Sequence, residues 1–222
     1  MAPILVAVAV LSALIAARRR RSRTPARAMI VSPRESTAIS HDGAVHSVQC
    51  VELTMAWPDL ERLWTPANLE NLGRTYWRFL SRVTLGLIRV VYGENERSVV
   101  FLARPFTLLR FDAPEYTLEA DHGSVRWRIR DGLLVARAGR GSGFLAIGVT
   151  REPDADPAGP ARIRIEVEVA NFYPAIAAGF STPVYEATQS SIHVLVTHAF
   201  LRSLARLNLA KSKVGRLAPA QP

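Results

Sequence analysis

The feature that most constrains the fold is an alternation of apolar and polar residues that recurs between residues 45 and 170. Its cleanest instance runs from Arg162 to Val169, where Ile and Val alternate with Arg and Glu. A period of two is typical of a strand with one buried face and one solvated face. Further segments of this kind predict an opening strand followed by about six antiparallel strands. The predicted strands cover residues 45–55, 87–92, 98–104, 106–119 with an interruption at Pro114, 124–130, 133–150 and 161–170.

The dipeptide Asp131-Gly132 is the strongest hairpin signal in the chain. A two-residue turn at this point predicts that Trp127 pairs with Ala136 on the following strand. That strand is expected to run over residues 133–150, with a bulge or bend at its three closely spaced glycines.

Two short helices are predicted between the first strand and the rest, one that starts near Pro58 and carries Leu60, Leu63 and Trp64, and one that starts after Thr65-Pro66. A third, long helix is predicted over residues 183–209, because Thr182 is a good N-cap and Pro183 suits the first helical position. At about 1.5 Å per residue this helix is long enough to cross a whole sheet. One stripe of it carries Tyr185, Gln189, Ile192, Val196, Ala199, Phe200, Ser203 and Leu207.

This order of elements is similar to the helix-grip fold of the START and polyketide-cyclase-like superfamily. The resemblance covers residues 45–209 and rests on the paired helices, the paired long strands and the Thr182-Pro183 helix entry. It implies an α+β fold in which a curved antiparallel sheet wraps around the long C-terminal helix and encloses a ligand cavity. The sequence carries no residue signature of the superfamily, so no catalytic residue is transferred.

Aromatic and polar side chains at presumed inward positions form the predicted ligand site. Tyr185 and Gln189 would supply its polar points, and His193 flanks the same stripe. The alternatives are a packed core without a cavity and, for His193, a partly exposed structural position. The predicted ligand-binding residues are Phe101, Trp127, Tyr185, Gln189, Ile192, His193, Val196 and Phe200, with Tyr76 as a further candidate.

No catalytic, metal or cofactor site is predicted. Cys50 is the only cysteine, which excludes an intramolecular disulfide and a cysteine-based zinc cluster. His193 and His198 are five residues apart, so they cannot share a metal as an i, i+4 pair does. The Gly-rich segment 139–143 lacks the Gly-Lys-Ser/Thr ending of a phosphate loop, and no Gly-x-Ser-x-Gly motif is present.

The N-terminus reads as a membrane anchor. Residues 2–17 carry no charge and are followed at once by an arginine run. Sixteen helical residues span about 24 Å, somewhat less than the ~30 Å hydrocarbon core, and flanking arginines can snorkel to the interface. The positive-inside bias predicts a single-pass protein in the cell membrane with its body on the cytoplasmic side. A signal peptide and a buried helix are the alternatives.

The net charge of +9 lies in the tails, because residues 28–210 hold nineteen basic and nineteen acidic residues. A neutral body argues against nucleic-acid binding. We therefore expect a basic juxtamembrane linker over residues 18–44, the folded domain over residues 45–209 and a basic disordered tail over residues 210–222. Anionic lipid head groups are the predicted partners of Arg18, Arg19, Arg20, Arg21 and Arg23.

Two classes of function remain for the folded domain. The first is a membrane-anchored, non-enzymatic module that binds an apolar or amphipathic small molecule or a lipid. The second is a cyclase- or hydratase-type enzyme in the same cavity, which needs an ionisable group facing inward. An envelope scaffold is a further alternative. The arginines of strand 124–130 fit either an anionic ligand surface or, as alternation alone predicts, a solvated sheet face.

Overall fold

The computed structural model describes residues 27–31, 37–103, 105–152 and 159–175 together with Phe200 and Leu204. Two α-helices, α1 (Trp57–Leu63) and α2 (Pro66–Val83), interrupt the strands. The strands are β1 (Arg27–Val31), β2 (Thr37–Ile39), β3 (Val45–Met55), β4 (Ile88–Tyr92), β5 (Glu96–Phe101), β6 (Thr107–Asp112), β7 (Glu115–Leu118), β8 (His122–Asp131), β9 (Phe144–Arg151) and β10 (Ala161–Phe172).

The strands form one antiparallel sheet in the order β1-β3-β10-β9-β8-β6-β5-β4, with β2 on β3 and β7 on β8. Alternation along β3 and β10 places one set of side chains in the core and the other outside. Register shifts within the β3–β10, β5–β6 and β6–β8 pairs are irregularities of the kind that bend a sheet. The predicted α+β class, the curved antiparallel sheet and the two helices after the first long strand are confirmed.

Both helices begin where the sequence predicts. Pro58 lies in the first turn of α1, and Pro66 opens α2 at a position where a missing N–H costs nothing. The side chain of Thr65 caps α2 by accepting a hydrogen bond from the backbone N–H of Asn68. Leu69, Leu72 and Tyr76 are buried along α2, as its three- and four-residue spacing predicts.

The core lies where α2 packs on the inner face of the sheet. Trp77 is its central side chain, with ring centroids 5.1 Å from Trp127 on β8 and 5.3 Å from Phe111 on β6. Aromatic pairs at this spacing and tilt add to the stabilisation that area burial provides. Gly73, one turn earlier on α2, allows the helix backbone to approach the Trp127 ring closely.

The predicted hairpin at Asp131-Gly132 is wrong. β8 pairs with β9, and Trp127 lies opposite Leu145 instead of Ala136. After Asp131 the chain runs beside β6, where a Cβ on Gly132 would come within 2.2 Å of the carbonyl oxygen of Leu108. The Asp-Gly turn signal depends only on neighbouring residues, whereas the position of Gly132 is set by its contact with β6, which is distant in sequence.

The predicted strand over residues 133–150 is also too long, because only Phe144–Arg151 forms β9. The residues before it form turns and a short 3-10 segment over Arg137–Gly139. A Cβ on Gly139 would come within 2.4 Å of Tyr173, and Gly141 has a φ of +76°. The glycines therefore serve a tight connection and not a bulge inside a strand.

The segment predicted as a linker, residues 18–44, contains two short strands. β1 pairs with β3 from Arg27 opposite Thr54 to Val31 opposite Cys50, and β2 pairs with the start of β3. Neither strand shows a sustained alternation of apolar and polar residues. Backbone pairing with β3 makes these segments strands, and the side-chain pattern gives no sign of it.

Phe200 and Leu204 are helical and buried, and the Phe200 ring meets Tyr76 edge-on at 5.2 Å. The rest of the predicted helix 183–209, the predicted anchor 2–17 and the tail 210–222 lie outside the described residues. Within the part that the structure describes, no helix is both long and apolar enough to cross a membrane.

We predict that Gly73→Ala destabilises the protein, although the same change inside a helix ordinarily stabilises by about 1 kcal/mol. The new Cβ would lie 2.9 Å from two atoms of the Trp127 ring. Overpacking of this kind should lower the free energy of unfolding by about 1–3 kcal/mol, measured by urea unfolding in mild detergent.

Arg78→Ala, on the exposed side of α2, is the control and should change stability by less than about 0.5 kcal/mol. Adding Trp127→Phe to Gly73→Ala should recover part of the loss in a double-mutant cycle. A gain in stability from Gly73→Ala alone would contradict the close packing of α2 on β8.

Candidate ligand pocket

An apolar pocket lies at the junction of α1 and α2, where the two helices meet the sheet. About 600 Å³ of space is free of protein atoms there, counted together with the solvent at its mouth. Side chains come from β3, α1, the α1–α2 junction, α2, β7, β9, β10 and one residue of the C-terminal region. The lining residues are Leu53, Met55, Leu60, Leu63, Trp64, Thr65, Asn68, Leu69, Leu72, Leu118, Gly123, Val149, Ile163, Ile165 and Leu204.

The few polar groups at this pocket already have partners in the protein. Thr65 Oγ1 accepts the Asn68 N–H at 3.2 Å, and Asn68 Nδ2 donates to the carbonyl oxygen of Arg62 at 3.2 Å. The indole Nε1 of Trp64 donates to the carbonyl oxygen of Glu119 at 2.9 Å. The space therefore presents hydrocarbon to an occupant, and selects it by apolar surface rather than by hydrogen bonds.

Trp64 also ties the helices to the sheet beside the pocket. The guanidinium of Arg151, on β9, lies 4.3 Å from the centre of the Trp64 ring, a cation–π contact. The same arginine pairs with Glu61 on α1 at 3.1 Å. These contacts fix α1 against the end of β9.

A second, polar cluster lies between α2 and strands β4, β5 and β7. The guanidinium groups of Arg74 and Arg97 lie 4.7 and 5.0 Å from the centre of the Tyr92 ring. Burial raises the pKa of Tyr116 to about 12, and the negative charge of Glu70 acts in the same direction. Tyr116 therefore keeps its hydroxyl proton at neutral pH.

Glu70 is the unusual member of this cluster, because its side chain is only 2% exposed. Its Oε1 has no hydrogen-bond partner among the described residues. Arg97 is equally buried, but its Nη1 donates to the carbonyl oxygens of Gly93 and Glu96, both at 2.8 Å. A buried carboxyl oxygen without a partner costs stability, so Glu70 is a polar residue in a position that an apolar side chain would ordinarily occupy.

Cys50 is fully buried on the opposite side of β3 from the pocket-lining residues. Burial and the nearby Glu166 carboxylate, 3.2 Å from Sγ, raise the pKa of the thiol. A thiol held in its protonated form is a weak nucleophile, which agrees with a structural position.

The structure separates the described members of the predicted ligand site. Trp127 is buried in the aromatic core against Trp77 and does not line the pocket. Phe200 is buried against Tyr76 and Phe79. The predicted residues Tyr185, Gln189, Ile192, His193 and Val196 lie outside the described residues.

Phe101 does not face inward as its parity predicts, because its side chain is 41% exposed. A register shift between Val99 and Val100 places both valines in the core and turns the next residue outward. One extra residue in a strand moves every later side chain to the other face. Sequence periodicity carries no signal for such a shift.

The pocket residues of α1 and of the α1–α2 junction were not predicted from the sequence. In the sequence, Trp64-Thr65-Pro66 signals only a boundary between two helices. A break between two amphipathic helices separates their apolar residues and can leave a gap between them. The apolar residues on both sides of the Trp64-Thr65-Pro66 break are the sequence signal for this pocket.

The arginine stripe of β8 faces outward, as alternation predicts. The Arg126 guanidinium lies 4.3 Å from the centre of the Phe144 ring, and Arg128 is exposed. Arg130 forms ion pairs with Glu96 and Asp112. Within the described residues, no group of three or more His, Cys, Asp or Glu side chains is arranged to hold a metal ion.

No protein-family model matches the sequence, and no curated protein matches it. Among solved structures, human STARD10 matches over 84% of this chain and 71% of its own, with 10% identity and a TM-score of 0.32. Human StAR-related lipid transfer protein 5 matches over 93% and 99%, with 12% identity and a TM-score of 0.33. Norcoclaurine synthase from Thalictrum flavum matches over 79% and 96%, with 14% identity and a TM-score of 0.34.

START-related proteins are thus among the matching structures, as the resemblance in element order anticipated. Because each TM-score lies below 0.5, this likeness carries no conclusion about ligand or activity.

We predict that Glu70→Met stabilises the protein. Methionine has a similar length and needs no hydrogen bond, so the change removes the cost of a buried polar oxygen. The free energy of unfolding should rise by about 1–3 kcal/mol in urea.

The matched control is Glu61→Met on α1, where the carboxylate is exposed and pairs with Arg151. That change should alter stability by less than about 1 kcal/mol. If Glu70→Met instead lowers stability, the Glu70 carboxylate has a partner in the folded protein, and its assignment as an unsatisfied group is wrong.

Proposed function

We propose that this protein is a membrane-anchored binding module that holds an apolar or amphipathic small molecule, or one chain of a lipid, in the pocket between α1, α2 and the sheet. The observation that carries the proposal is the lining of this pocket. Apolar side chains from β3, α1, α2, β9 and β10 converge on it, and its polar groups are used within the protein.

The size of the pocket limits the occupant. Because its 600 Å³ includes solvent at the mouth, that volume is an upper limit. The space that the protein encloses is smaller than this limit, so the pocket can take one slender apolar group and not a whole two-chain lipid. Transfer of such a surface out of water is favourable by roughly 25 cal/mol per Å² of apolar area, so affinity would come from burial.

The sequence supports the membrane location. Residues 2–17 are uncharged and apolar, and Arg18, Arg19, Arg20, Arg21 and Arg23 follow directly. This order favours an N-terminal anchor with the domain on the cytoplasmic side and the arginines against anionic head groups.

A cyclase- or hydratase-type enzyme is the second candidate, and Glu70 is the observation that favours it. An enzyme in this interior needs a buried ionisable group, and Glu70 is one beside the protonated Tyr116. Glu70 is not among the residues that line the pocket, however, so binding accounts for the arrangement better than catalysis does.

The binding proposal predicts that the purified full chain enhances the fluorescence of cis-parinaric acid and that Leu63→Trp weakens this binding at least about tenfold. Leu63 lines the pocket and is only partly buried, so a larger ring should fill the free space without breaking the core. Leu80→Trp is the matched control, since Leu80 is also partly buried beside the core but lies outside the pocket lining.

Equal weakening by both substitutions would show that the response follows general loosening and not occupation of the pocket. Absence of any fluorescence change with the unmodified chain would contradict the proposal for single-chain lipids. Native mass spectrometry of the detergent-extracted protein then tests for a different co-purifying small molecule.

The membrane proposal predicts that the full chain sediments with membranes and that deletion of residues 2–17 releases it. In spheroplasts, external protease should leave the domain intact, because the arginine run keeps it inside. Digestion of the domain from outside, or a mature chain that begins near Met29, would overturn the predicted topology.

A further inference from the structure

Three chain connections expose large apolar side chains at one end of the sheet. Leu85 and Leu87 lie between α2 and β4, and Leu85 is 82% exposed. The connection between β5 and β6 adds Phe106 at 57%, and the chain after β8 adds Leu133 at 60%. Together with Phe101 and Leu102, these residues are called the apolar tip below.

The apolar tip is one patch because backbone hydrogen bonds join the three connections. Leu102 N donates to the carbonyl oxygen of Leu87 at 2.6 Å. Leu133 N donates to the carbonyl oxygen of Thr107 at 3.0 Å. Residues that are distant in sequence are therefore held side by side, and patches of this kind on a soluble surface mark sites of interaction.

Two leucines of the apolar tip also have strained backbones. Leu85 has a φ of +53° and Leu102 a φ of +60°, in the left-handed region that glycine and asparagine prefer. Each therefore combines an unfavourable conformation with an unfavourable exposure. Neither choice of residue helps the isolated fold, which points to selection for contact with a partner.

The chain segments that form the apolar tip carry charges of one sign. Segments 82–89, 101–107 and 132–140 contain no Asp or Glu. Arg82, Arg89, Arg137 and Arg140 are exposed in these segments or at their edges. Asp131, directly before the third segment, is paired with Arg110. Exposed leucine and phenylalanine side chains on segments whose charged residues are all arginines match the two layers of an anionic bilayer, which are the acyl region and the phosphate head groups.

We propose that the apolar tip is a membrane-contact surface that inserts Leu85, Leu102 and Phe106 into the head-group region of an anionic bilayer. The surrounding arginines would pair with lipid phosphates, each contributing about 1 kcal/mol near the surface. This surface is separate from the pocket and does not depend on the identity of its ligand.

The apolar tip and the pocket lie at opposite ends of the domain. β8 runs from Gly123 at the pocket to Asp131, and Leu133 follows two residues later. Likewise α2 starts at the pocket and ends at Val83, about 27 Å away along its axis. Contact through the tip would therefore place the bilayer at the end of the domain that is away from the pocket.

The experiment places a fluorescent thiol label in the full chain, reconstituted into vesicles of phosphatidylcholine mixed with phosphatidylglycerol. Leu85→Cys and Leu102→Cys report on the apolar tip, and Asn95→Cys, exposed in the β4–β5 turn, is the control position. Cys50 is fully buried and does not compete for the label.

A quencher attached to lipid acyl chains should lower the emission from positions 85 and 102 by about twofold more than that from position 95. Arg82→Glu with Arg89→Glu, or vesicles of phosphatidylcholine alone, should reduce this difference. Quenching at positions 85 and 102 that equals the quenching at position 95 would overturn the proposal. Shielding from both lipid-attached and aqueous quenchers would also overturn it, in favour of a protein partner.

A second pair of variants separates lipid contact from folding. Leu85→Asn with Leu102→Asn suits the left-handed backbone and should leave the urea midpoint unchanged or raised. In the chain lacking residues 2–17, the same pair should lower sedimentation with anionic vesicles several-fold. A lowered midpoint would show that the two leucines stabilise the fold, and the membrane assignment would fail whatever happens to the pocket.

Discussion

The architecture depends on how closely α2 approaches β8. Gly73 is the residue that permits this approach, because any side chain there would meet the Trp127 ring. Trp77 then reaches both Trp127 and Phe111, so a single turn of helix joins two strands of the sheet. The position of α2 in turn decides which of its residues meet the sheet and which remain over free space. The pocket and the polar cluster are both consequences of that placement.

The pocket is apolar because the polar groups in the first turn of α2 form hydrogen bonds that cap the helix. Thr65 and Asn68 form a hydrogen bond with each other at the break between the helices. The Trp64 indole donates a hydrogen bond to Glu119 and makes a cation–π contact with Arg151. The leucines on either side therefore face each other across a gap without polar groups to satisfy. Glu70, one residue beyond Leu69, lies outside this apolar lining, which is why the two sites differ in chemistry.

Local sequence patterns predict the elements in which a regular period decides which side chains are buried. β10 and α2 follow their periods of two and 3.6, and Thr65 with Pro66 marks the helix start. The failures come from contacts between distant segments. Gly132 packs on β6 instead of making a hairpin, and the shift at Val100 turns Phe101 outward. Glu70 was overlooked because a glutamate in an amphipathic helix ordinarily faces water.

The pairing of β3 with β10 has a consequence for synthesis of the chain. Val51 lies opposite Ile165 in the finished sheet, so β3 waits for more than half of the chain to be made before this neighbour exists. Contacts between residues so distant in sequence form slowly, because the chain must lose the entropy of loop closure before strand pairing stabilises it. Until then β3 is a long, apolar edge strand open to other chains. β1 is synthesised before β3 and pairs with the edge of β3 that faces away from β10. During that interval only the other edge of β3 is therefore exposed.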